Sequence, residues 1–142
     1  MLVLMMTGLV VCVAVLAVAS VYGVLHKRRN GRVRVRARDD GKRLGAAELG
    51  DELGERATLV QFSSAFCAPC RATRRVLGEV AGMVPGVTHV EIDAEANLDL
   101  VRELDILKTP TVLVLDADGR VVRRATGLPR KADVIAALGE AV

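Results

Sequence analysis

Two cysteines three positions apart, Cys67 and Cys70, are the residues of this chain whose types and spacing suit covalent chemistry. A cysteine reacts as its thiolate. Pro69 lies between the two and a helix-like run follows; Pro in a first helical turn loses no hydrogen bond, because those N–H groups lack intrahelical partners. The spacing therefore predicts Cys67 at a helix start and Cys70 one turn in. Free N–H groups and the positive end of the helix dipole favour an anion at Cys67. Cys70 is then close enough to attack a mixed disulfide formed at Cys67. The pair suits a dithiol–disulfide couple. Half a zinc site is the competing reading, but no second CxxC and no nearby paired His supplies further ligands, so no metal is expected. The third cysteine, Cys12, sits in an apolar run and reads as inert.

A strand must deliver this pair. Residues 58–62 are β-branched and apolar around the single polar Gln61, and read as a buried strand; Ser63, Ser64 and Ala65 suit a turn. The helix is expected over about 67–83, with Val76, Leu77, Val80, Met83 and Val84 at helical spacing. Pro85-Gly86 ends it. A strand over 87–92, a helix over 97–104 with Leu98, Val101 and Leu104 on one face, and a strand over 111–115 follow. Asp118-Gly119 turns into a strand over 120–125, and an amphipathic helix over 131–141 carries Val134, Ile135 and Leu138. Before the first strand, 46–53 reads as a short helix, and Asp40-Gly41 as the turn of a small hairpin pairing 33–37 with 42–44. The order β-α-β-α-β-β-α implies an α/β fold: a mixed sheet with helices on both faces.

The N-terminal part differs in kind. Residues 1–25 carry no charge and are long enough to cross a bilayer. A cleaved signal peptide and a lipoprotein site at Cys12 fit less well than an uncleaved anchor. No Lys or Arg precedes the run, and Val11 before Cys12 is not small. Residues 26–43 form a basic linker with nine Lys/Arg and two Asp, a net of +7, whereas 44–142 carry a net of −4. The basic character thus belongs to the linker. Its alternating Arg residues lack interleaved aromatics, so nucleic acid is not an expected partner; anionic lipid headgroups are the simpler one. The positive-inside bias places the domain of 44–142 in the cytoplasm, with the extracytoplasmic side as the alternative. The chain is 51% hydrophobic but 2% aromatic, so the core must be Val, Leu, Ala and Ile.

Four features, taken in order, resemble the thioredoxin superfamily. They are Phe66-Cys67-Ala68-Pro69-Cys70 after a strand, Ile92-Asp93 ending the next strand, Thr109-Pro110-Thr111 before the hairpin, and Asp118-Gly119 at its turn. With the anchor and the basic linker, the chain looks more like the membrane-tethered, TlpA-like branch than free thioredoxin. The resemblance implies a thiol–disulfide oxidoreductase without cofactor. Cys67 would attack a substrate disulfide, Cys70 would resolve the mixed disulfide, and the two would form the redox-active disulfide. It further implies a cis Thr109–Pro110 peptide beside Cys67, and a substrate surface of Phe66, Thr109, Pro110 and Gly127. Partners would be protein disulfides and a dithiol electron donor. The second function class is a non-catalytic binding or chaperone module held at the membrane.

Some residues depart from the family pattern. Phe66 stands where Trp is usual, and Ala68-Pro69 where thioredoxin has Gly-Pro. Gln61 occupies the place of a buried acid, and an amide cannot take a proton from Cys70 at neutral pH. That departure favours the second function class. His89 falls where thioredoxin has a lysine and reads as a partly exposed strand histidine on which nothing else converges. Arg71 and Arg74 read as a solvated helix face. Glu91, Asp93 and Glu95 lack a calcium-loop pattern.

Overall fold

The structure, a computed structural model, describes residues 1–29 and 42–142. It divides into two units, Met1–Asn30 and Gly31–Val142. The first is a single helix, α1 (Leu2–Arg29). Its stretch Met5–His26 is long and apolar enough to cross a membrane, and a helix this near the N-terminus also has the character of a signal sequence. Thr7 bonds back to the Val3 carbonyl at 2.7 Å, which satisfies its hydroxyl within the helix.

The second unit has the elements α2 (Ala46–Leu49), β1 (Ala57–Ser63), α3 (Ala68–Met83), β2 (Val87–Asp93), α4 (Leu98–Glu103), β3 (Thr111–Asp116), β4 (Val121–Thr126) and α5 (Lys131–Ala141). The sheet among the described residues has the order β2-β1-β3-β4. β1 runs parallel to β2 and antiparallel to β3, and β3 is antiparallel to β4, so the sheet is mixed. All seven residues of β1 are buried, as expected of a central strand covered on both faces.

Alternation along the strands sorts the core into two layers. Val60, Phe62, Val90, Ile92, Leu113 and Leu115 pack with Leu44, Leu49, Leu104 and Ile106 on one face. Ala57, Leu59, Val112 and Val114 pack with Leu77, Val80, Val134 and Leu138 of α3 and α5 on the other. Gln61 follows the parity of Leu59 and therefore faces α3. His89 and Glu91, with the parity of Val87, face the same way.

The structure corrects several expected details. The short helix ends at Leu49 instead of residue 53, because Gly50 turns left-handed at φ 68°. Leu98, expected on one helix face with Val101 and Leu104, is exposed, as is Met83 of α3; Leu104 is buried at the end of α4. Of the expected hairpin, 33–37 lies outside the described residues, while Arg43 bridges to Arg120 and Leu44 N–H donates to the Gly119 carbonyl at 2.8 Å. Gly119 is irreplaceable in that contact: its φ is 79°, and a Cβ would lie 2.2 Å from the Leu44 carbonyl oxygen.

Candidate functional site

The pair lies where β1 hands over to α3. Cys67 is the N-cap of α3, extended at φ −93°, with Pro69 in the first turn. Its Sγ accepts from the Cys70 N–H at 3.2 Å, which satisfies one orphan donor of the helix start. Cys67 and Cys70 are joined as a disulfide with Cα atoms 5.2 Å apart. Their environments differ. Cys67 is partly exposed, whereas Cys70 is 2% exposed. A partner's sulfur can reach the first far more readily than the second.

The residues around the pair come from three loops. Phe66 is fully exposed and holds a left-handed backbone at φ 59°, unusual for a bulky residue, which turns its ring outward immediately before Cys67. Thr109–Pro110 is a cis peptide. The Thr109 hydroxyl lies 2.8 Å from the Ser64 hydroxyl and 4.0 Å from Cys67 Sγ. Gly127, at φ 83°, donates its N–H to the Pro110 carbonyl at 2.8 Å. The structure thus ties Thr109 to Cys67, and Gly127 to Pro110. Leu107 and Leu128 are further exposed apolar residues close in sequence to Thr109 and Gly127.

Beneath the disulfide, Gln61 is completely buried. Its Nε2 donates to the Cys70 carbonyl at 2.8 Å and to Ser63 Oγ at 2.9 Å. Its Oε1 lies 3.1 Å from His89 Nε2. His89 is therefore not the unpartnered strand residue expected: it is half-buried and converges on Gln61. Burial lowers the His89 pKa from its ordinary 6.5, Glu91 opposes this, and Arg74 adds to it. Arg74 grips Glu91 with two bonds of 2.6 and 2.7 Å, so it is an ion-pair partner and not a free solvated cation. Those bonds hold the Glu91 carboxyl below its ordinary value against partial burial, and the Ser63 hydroxyl adds to the effect. Arg71 is exposed.

Asp93 Oδ1 accepts the Glu95 N–H, an ordinary turn contact. Among the described residues, no group of three His, Cys, Asp or Glu side chains could hold a metal ion.

Sequence reasoning missed three contributors. Ser63 belongs to β1 rather than to a turn, and Ser64 braces Thr109. Arg124 of β4 is 5% exposed and donates to the Leu104 carbonyl at 2.7 Å and the Asp105 carbonyl at 3.3 Å, where the chain leaves α4 for Thr109. Strand periodicity gave no signal for a buried cation there.

Comparisons agree with this geometry. Residues 46–140 match the family model described as Thioredoxin. The chain is 32% identical over 96 residues to the thioredoxin of Mycolicibacterium smegmatis, covering 65% of this chain and 85% of that one. It is 30% identical over 87 residues to the thioredoxin of Chlamydia muridarum, covering 61% and 84%. The solved structure of chloroplastic thioredoxin z superposes with a TM-score of 0.54 at 30% identity, over 61% of this chain and 78% of that one. A mutant thioredoxin of Halobacterium salinarum, 21% identical with a TM-score of 0.56 over 61% and 75%, shares the fold. With the family's sheet and a cysteine pair bonded at the head of α3, the chain belongs to the thioredoxin family and is a thiol–disulfide oxidoreductase.

Proposed function

We propose that this protein is a membrane-tethered reductase of protein disulfides in which Cys67 is the nucleophile and Cys70 the resolving thiol. The observation that carries this reading is the asymmetry of the pair: a partly exposed N-cap sulfur beside one that is 2% exposed. The Cys67 thiolate attacks one sulfur of a substrate disulfide, that S–S bond breaks, and half of the substrate leaves as a thiolate. Cys70, deprotonated, then attacks Cys67 Sγ. The second substrate sulfur leaves, both substrate thiolates take protons from water, and Cys67–Cys70 closes. A dithiol donor then gives up two electrons and two protons, and the two electrons reduce the pair.

Phe66, Thr109, Pro110 and Gly127 form the substrate surface in this reading. The exposed ring flanks the nucleophile, and the backbone around Pro110 offers an extended segment places to pair. The span Met5–His26 is the tether. Lys27, Arg28 and Arg29 follow it and argue for a cytoplasmic domain, where thiols are kept reduced and reduction is the working direction. The basic linker then meets anionic lipid headgroups.

The test is insulin-type disulfide reduction by the full chain in detergent, with a small dithiol as donor and Cys67→Ser as control. Turnover by the native protein and none by the variant is expected. Equal rates in both proteins, at the level of the donor alone, would leave only a binding module. A membrane-impermeant thiol reagent applied to intact cells decides the side. Cys67 is expected to stay unlabelled until the membrane is opened, and labelling from outside would reverse the assignment.

A further inference from the structure

The amide beneath the disulfide has only one orientation that its neighbours permit. A carbonyl oxygen can only accept, so the end of Gln61 that meets the Cys70 carbonyl must be the NH2 group. Both of its hydrogens are then committed, one to Cys70 and one to Ser63 Oγ. The other end, Oε1, can only accept, so His89 Nε2 must carry a hydrogen. This fixes the tautomer and leaves Nδ1 as the proton-binding atom. The imidazole can therefore gain a proton without breaking its bond to Gln61.

We propose that Gln61 and His89 are the positioning pair of this dithiol: His89 locks the Gln61 amide on the Cys70 carbonyl, and its Nδ1 supplies the proton-binding group coupled to the cysteine thiolate. The proposal rests on the oxidoreductase reading above. Its physical sense is opposite to that of a carboxylate. A buried acid repels a thiolate until it is protonated, whereas a protonated imidazole attracts one. The charged groups acting on His89 are Glu91 on its own strand and Arg74 from α3; Gln61 and Ser63 of β1 do not titrate, and Gln61 links the ring to the Cys70 carbonyl. Glu91 is already held by Arg74, so the charge that changes during the reaction is the one on the sulfurs. The proton balance closes simply. A dithiol donor loses two electrons and two protons. The pair takes both electrons, Cys70 takes one proton, and His89 Nδ1 takes the other while Cys67 stays a thiolate.

Coupling of this kind is reciprocal: whatever the thiolate does to His89, His89 does to the thiolate. Two variants separate anchoring from charge. His89→Gln keeps an N–H donor for Gln61 but does not titrate, and His89→Leu removes both. The chain has two histidines, His26 and His89, so the His89 ring is assigned in NMR spectra of the full chain in detergent by comparison with His89→Gln. The His89 titration midpoint is expected to be higher in the reduced than in the oxidised protein. Thiolate absorbance of the reduced protein should show Cys67 titrating at higher pH in both variants. Insulin turnover at pH 6 should fall at least about fivefold in His89→Leu, the low end of intersite coupling. A His89 midpoint that is the same in both redox states would overturn the proposal, as would a His89→Leu protein with native thiolate titration. A native protein without turnover whose His89 midpoint still moves on reduction would refute the reductase reading while supporting the coupling.

Discussion

Replacing Gln61 by Leu removes the polar group at the centre of the site while nearly conserving volume. Gln61 is completely buried and holds the Cys70 carbonyl at 2.8 Å, Ser63 Oγ at 2.9 Å and His89 Nε2 at 3.1 Å. A net hydrogen bond contributes about 1 kcal/mol, and a buried partner left behind costs about 1–3 kcal/mol. Two of these bonds are buried and the third only partly. The Leu side chain recovers some transfer energy in an apolar layer, so the expected loss is about 3 kcal/mol. For a domain of this size that is a fall in Tm of about 12–20 °C. Circular dichroism of the full chain in detergent reads it, with α1 as a constant background. Gln61→Glu gives a second point. A carboxyl with a single O–H cannot make both donations of the NH2 group, so it too should destabilise, most above neutral pH where an ionised form would be buried. A Tm within about 4 °C of native for Gln61→Leu would refute the reasoning, since it would mean that the amide network stabilises nothing.

Phe66→Ala should raise KM for a protein disulfide about threefold or more while moving stability by less than about 0.5 kcal/mol, because the ring is fully exposed; steady-state kinetics and a melting curve check both. Arg124→Leu should cost about 2–3 kcal/mol, measured by denaturant unfolding, because the Leu104 and Asp105 carbonyls lose a charged donor. Stability should fall on acidification in two windows. The depressed pKa of His89 means the unfolded chain binds its proton first, so this contribution is full above the ordinary 6.5 and erodes as pH falls below it. The depressed pKa of Glu91 acts likewise below its ordinary 4.5 and is lost as pH falls through its lower folded value. Melting curves from pH 8 to pH 3 test this: His89→Gln should abolish the upper window alone. Arg74→Ala should leave the melting curve at neutral pH nearly unmoved, since the guanidinium side of that ion pair is exposed and screened.

The parts of this fold that were legible in the sequence are those whose pattern has a single physical reading. β1 reads as a run of β-branched and apolar residues around Gln61, and Pro69 marks the first turn of α3. The amphipathic run 131–141 matches α5 at both ends. Alternation failed in β4 for an identifiable reason. A register shift between Val114 and Leu115 pairs Leu115 with Val121 but Val114 with Arg123, so Val122 is an extra residue and parity flips across it. Arg124 then points to the same layer as Val121, where a sequence reading expects no charge. Leu98 matched a helical stripe, yet α4 is too short to bury it. His89 and Ser63 carried no local signal, because their roles arise from the parallel register that sets β2 beside β1. Ser64 is likewise defined only by Thr109, forty-five residues away.

The division of labour between the cysteines is the centre of the account, and trapping the mixed disulfide tests it most directly. The reduced full chain, as Cys70→Ser and separately as Cys67→Ser, is mixed with a peptide disulfide, quenched in acid and weighed by mass spectrometry. With the nucleophile at the head of α3 and partly exposed, Cys70→Ser should gain the mass of one peptide half on Cys67, while Cys67→Ser, its remaining site thiol 2% exposed, should stay unmodified at that position. An adduct on Cys70 in Cys67→Ser, with none on Cys67 in Cys70→Ser, would contradict the account.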